Sequence, residues 1–136
     1  MTRTIKLSIP HDPPYHGVAR LVVGGLAARL DVSYEQLEDL QLALASVLEQ
    51  GTYVRDSQVK VELEVHEGAL SMVVGPVDGG RLRADLDDTD DQRIGLGRLL
   101  GTLVEDVNVE RREGAEWLRL EKRVNVLRPE GSRGRA

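Results

Sequence analysis

The stretch from residue 33 to residue 50, SYEQLEDLQLALASVLEQ, constrains the fold most, because its apolar residues share a surface only on an α-helix. Leu37, Leu40, Leu44, Val47 and Leu48 recur at three- and four-residue spacing and form one stripe. Ser33, with Gln36 three residues on, has the pattern of a capped helix start. A second stripe, Asp39, Ala43, Ser46 and Gln50, lies more than about 100° around the cylinder. A helix with two such faces packs one on a sheet and offers the other to a pocket.

The remaining segments supply that sheet. A strand is expected over residues 4–9. A helix follows in which Asp12 is the N-cap and Pro13 the first position, with Val18, Val22, Leu26 and Leu30 as its i, i+4 row. Residues 59–65 alternate cleanly, with Val59, Val61, Leu63 and Val65 on one face and Lys60, Glu62 and Glu64 on the other. Glu67-Gly68 turns this strand into another over 70–74, and a glycine-rich turn, residues 75–80, follows. A third helix is expected to carry Leu99, Leu100, Leu103, Val104 and Val107. Strands over 108–112 and 116–124, joined at Glu113-Gly114, complete the pattern. The fold class implied is α+β: a two-layer α/β sandwich with a mainly antiparallel sheet and helices on one face. A single domain is expected over residues 1–127, with a basic, glycine-containing disordered tail over 128–136.

Composition narrows the function classes. The 136 residues suffice for one core, and with Phe 0 that core must be filled by Leu and Val. Cys 0 excludes disulfides and cysteine metal sites and suits a reducing cytoplasm. No apolar run approaches the roughly 20 residues of a membrane span, and no basic-plus-apolar leader opens the chain. A net charge of −5 argues against a nucleic-acid backbone as the main ligand. It suits a basic protein partner, and equally it is ordinary for solubility. No G-x-S-x-G or Walker sequence occurs. His11, His16 and His66 stand apart without metal-ligand spacing, which gives them surface or core-edge roles. Trp117, in the last strand, is expected to serve packing or an interface.

Three segments carry a family resemblance: residues 40–52, LQLALASVLEQGT; the stretch GVARLVVGGLAARLDVSYEQLEDLQLAL leading into it; and Gly95-Leu96-Gly97 downstream. Over about residues 4–124 the chain resembles the histidine-kinase-like (GHKL) ATPases, and specifically the bacterial anti-sigma-factor serine kinases. In that family the second helix carries Glu-x-x-x-Asn, where the glutamate acts as general base on a substrate serine and the asparagine holds Mg²⁺ on ATP. The alignment places Ser46 at the glutamate and Gln50 at the asparagine. A serine hydroxyl has no useful basicity near neutral pH. Glutamine carries its amide one methylene too far for an ion that demands octahedral geometry at about 2.0–2.1 Å.

The family's Asp-x-Gly, whose aspartate accepts from the adenine amino group, falls on Pro76, which has no side-chain acceptor. A two-residue slip instead brings in Asp78 with Gly80, and an ordinary turn is the other alternative. The segment matching the family's lid holds Asp85, Asp87, Asp88, Asp90 and Asp91, read as a solvated acidic loop that favours the next helix start and lacks Ca²⁺-loop spacing. Gly95 and Gly97 match the family's Gly-x-Gly, which lets phosphates approach the backbone; close helix-to-sheet packing explains them as well. Arg20 matches a first-helix arginine that contacts sigma factor and antagonist alternately, a role suited to its bidentate fork. A solvated charge is the plain alternative.

The resemblance therefore implies a degenerate kinase that acts by binding a sigma factor or an anti-sigma-factor antagonist, as a cytoplasmic homodimer joined through the first strand and helix. No catalytic residue, metal or cofactor is expected. Gln50, Asp78, Gly80, Gly95 and Gly97 are the nucleotide-binding positions if the pocket still takes Mg-ATP or Mg-ADP. An active ATP-dependent serine kinase is the alternative, and a scaffold that has lost both activities is a third.

Overall fold

Two unbroken apolar rows cross every strand of the sheet. In the computed structural model, residues 3–30, 32–50, 58–66, 68–77 and 96–124 are described, the side chains of Gln50 and Leu96 excepted. The strands are β1 (Arg3–Ile9), β2 (Val59–His66), β3 (Ala69–Val77), β4 (Asp106–Arg112) and β5 (Ala115–Arg123). They lie in the order β1-β2-β3-β5-β4, every pairing antiparallel. One row reads Ile5, Leu63, Met72, Leu120, Val107, and the next reads Leu7, Val61, Val74, Leu118, Val109. A period of two in each strand, held in register, makes one apolar face. Positive φ at Glu113 (49°) and Gly114 (80°) closes the β4–β5 hairpin with the backbone such two-residue turns require.

Helices α1 (Pro13–Leu30), α2 (Tyr34–Gln50) and α3 (Leu96–Leu103) cover that face. The cap expected of Ser33 and Gln36 forms reciprocally. The Gln36 amide donates to Ser33 Oγ at 3.2 Å, and the Ser33 amide donates to Gln36 Oε1 at 3.4 Å. Leu40, Leu44, Val47 and Leu48 of α2 are each no more than 1% exposed, and burying each contributes about 1.5–3 kcal/mol. Among the described residues no helix is long and apolar enough to cross a membrane.

Three details differ from the sequence expectation. In α1 the buried row is Ala19, Val23 and Ala27, one residue along from the expected row, and Val18 is 42% exposed. Val18, Leu21, Val22, Val23 and Leu26 make α1 apolar nearly all round, so spacing alone could not choose its inner face. Close approach of α2 chooses the small side chains: Gln41 Nε2 donates to the Arg20 carbonyl at 3.1 Å, and a Cβ on Gly24 would stand 3.1 Å from that same nitrogen. The third helix stops at Leu103, so Val107 belongs to β4. Strand β3 runs on to Val77, with a register shift between Val74 and Val77, so Pro76 lies within a bulged strand end. The expected tail, 128–136, and the acidic segment, 85–91, lie outside the described residues.

The face of the sheet away from the helices is held by charge. Arg112 Nη1 reaches Glu62 at 2.7 Å, Arg119 bonds Glu110 at 2.7 Å and Glu64 at 3.1 Å, and Arg112 also bonds Glu110. These bonds tie β4 and β5 to β2, over the fully buried Val73 and Ser71 of β3. Trp117 lies among them, with the Arg112 guanidinium 5.4 Å from its ring centroid. The ring rests directly on Gly75, where an added Cβ would stand 2.7 Å from Cδ2. Gly75→Ala is therefore expected to destabilise the fold by about 1–3 kcal/mol through overpacking, read as a lower urea midpoint with unchanged slope.

The same network sets a pH dependence. Burial works to raise the Glu110 carboxyl, but the hydrogen bonds and charges of Arg119 and Arg112 outweigh it and hold the group below its ordinary 4.5. A lowered folded-state pKa contributes stability that is complete above the ordinary value and disappears as pH falls through the folded one. Stability should thus decline on acidification below about pH 4.5, and Glu110→Gln should make that decline shallower in denaturant titrations across the acid range.

Candidate functional site

Helix α2 has three working faces, one more than its sequence pattern shows. Leu40, Leu44, Val47 and Leu48 face the sheet. Gln41, Ala45 and Glu49 lie on the side of α1, marked by the Gln41 bond to Arg20 and by the cleft that Ala45 and Glu49 share with the start of α1. Asp39, Ala43 and Ser46 form the third face, the one the family resemblance assigns to a nucleotide pocket.

That third face is occupied by internal bonds. Ser46 is 6% exposed and donates its hydroxyl to the Leu42 carbonyl, one turn back, at 2.8 Å. Asp39 Oδ2 accepts from Lys122 Nζ at 3.1 Å, and the same ammonium donates to the Leu103 carbonyl, at the end of α3, at 2.8 Å. Lys122 is 8% exposed and stands on the helix side of β5, after Leu118 and Leu120. One cation thus satisfies an otherwise unpaired C-terminal carbonyl of α3 and pins it to α2 and β5.

The site residues fall into two places. Gln50 closes α2, and Gly97 lies in the first turn of α3, half-buried. Asp78, Gly80 and Gly95 lie outside the described residues, as does the side chain of Gln50. Pro76 is in β3, beside Gly75 and its Trp117 contact. Arg20 is elsewhere. It lines an open cleft of about 450 Å³ with His11, Pro13, His16, Gly17, Ala45, Leu48 and Glu49, on the α1 side of α2.

Comparison with known proteins places this geometry. Among curated proteins, the chain is similar to the serine-protein kinase RsbW of Bacillus pumilus, 32% identical over 129 residues, covering 81% of this chain and 80% of the relative. It is 30% identical over 127 residues to RsbW of Bacillus subtilis, covering 81% of this chain and 79% of that protein. The chain belongs to the RsbW family of anti-sigma-factor serine kinases. RsbW of Listeria monocytogenes is a further relative, 30% identical over 133 residues and covering 81% of each chain. No family model matches the chain. Among solved structures, the fold is similar to the RsbU and RsbW domains of a Mycobacterium tuberculosis protein, with a TM-score of 0.63 over 90% of this chain and 32% of that longer one. At 12% identity that likeness shows the fold alone.

The family resemblance leads one to expect a nucleotide at the polar face of α2, and two residues of this chain bear on that expectation. The alignment expected from the sequence puts Ser46 at the family's carboxylate, and its hydroxyl is engaged by its own helix. The direct alignment puts Pro76 at the adenine acceptor, and that residue sits in a strand end with no side-chain acceptor. At these two positions Ser46 supplies no carboxylate and Pro76 no side-chain acceptor.

Two features escaped the sequence pattern. Lys122 was visible as a charge at an apolar position of β5, following Leu118 and Leu120, which is the signature of a buried, paired cation. His11 and His16 looked isolated, yet the turn at Asp12 brings their rings to 6.3 Å between centroids, stacked at 20°. Nothing in their five-residue spacing announces that contact. Lys122→Met should leave Asp39 and the Leu103 carbonyl without their donor at a cost of about 1–3 kcal/mol. Hydrogen exchange at the end of α3 should rise more than exchange in the central strands.

Proposed function

We propose that this chain is a regulatory protein of the anti-sigma type that works in partner switching by binding a sigma factor or an antagonist protein, without transferring phosphate. The observation that carries this proposal is Ser46. A general base contributes about 10²–10⁴-fold to such reactions, and a buried serine hydroxyl committed to the Leu42 carbonyl supplies none of it. Gln50 at the magnesium position and Pro76 at the adenine position point the same way. No resident cofactor or metal belongs to this account. Asp78, Gly80, Gly95 and Gly97 remain as vestiges of a nucleotide pocket.

Partner capture is assigned to Arg20, which is exposed at the mouth of the α1–α2 cleft and whose fork suits carboxylates. The working form is a homodimer. Supporting it are the open edge of β1 and the exposed apolar residues Tyr15 (44%), Val18 (42%) and Leu21 (76%) on α1. A regulator of sigma factors acts where transcription initiates, so the location proposed is the cytoplasm. The active-kinase alternative draws on the curated relatives, which are named serine-protein kinases.

Titration calorimetry with Mg-ADP and Mg-ATP, followed by a phosphate-transfer assay on an antagonist protein, decides between the two. Absence of micromolar binding and of transfer is expected; both together would establish the kinase instead. In parallel, Arg20→Glu should weaken capture of a cognate sigma factor by about 30-fold or more while the far-UV spectrum and melting temperature stay unchanged. Unaltered capture would remove Arg20 from the site.

A further inference from the structure

No further inference is drawn: the strongest candidate, the outward surface of the α1–α2 pair, which exposes Leu21 and Leu42 together with the acidic Glu38 and Glu49, is an unpartnered patch, and nothing in the structure shows what covers it.

Discussion

Helix α2 is pressed from three directions, and nearly everything else in the molecule takes its place from that packing. Leu40, Leu44 and Leu48 hold it to the apolar rows of the sheet. On one flank Gln41 reaches into the backbone of α1 over Gly24, which brings the two helices close and fixes Arg20 at the cleft mouth. On the other flank Asp39 shares the Lys122 ammonium with the end of α3. A helix so constrained cannot rotate, so Ser46 stays on the face it shares with Asp39 and Ala43.

Ser46 suits such a packed helix better than a glutamate would. A carboxylate at a position this buried needs paired charge or hydrogen bonds to remain ionised, whereas a hydroxyl is satisfied by the carbonyl one turn behind it. The nearby cation does not call for a carboxylate at 46 either, since Lys122 is already paired with Asp39 and the Leu103 carbonyl. The framework of the family thus persists on packing and on the Asp39–Lys122 pair, whatever residue stands at position 46.

The sheet and the capped helix were legible because each obeys a short-range rule. Val59, Val61, Leu63 and Val65 alternate, and Ser33 and Gln36 cap reciprocally, whatever the rest of the chain does. The inner face of α1 was not legible, because a helix apolar on most sides leaves the choice to its neighbour, and the close approach of α2 selected Ala19, Val23 and Ala27. The end of α3 was hidden for a similar reason: Lys122, from a strand later in the chain, takes the Leu103 carbonyl. At the site, the identities of Ser46 and Pro76 could be read directly, but the hydroxyl's commitment to Leu42 and the meeting of His11 with His16 are tertiary facts.

The composition of α1 inverts the usual arrangement of a surface helix, and that inversion bears on assembly. Ala19, Val23 and Ala27 go inside, with Val22 and Leu26 partly buried against the core, while Tyr15, Val18 and Leu21 stay exposed. Leaving Tyr15 and Leu21 outside forgoes their burial, worth about 1.5–3 kcal/mol each on full removal from water. Small inward residues let α1 sit close to α2, and large outward ones prepare it for a second apolar surface. Among the described residues the edge of β1 pairs only with β2, so it is free on its other side as the outer face of α1 is. In the homodimer proposed above, a second copy of this chain would offer the matching strand edge and apolar stripe together, and a two-fold pairing would use both.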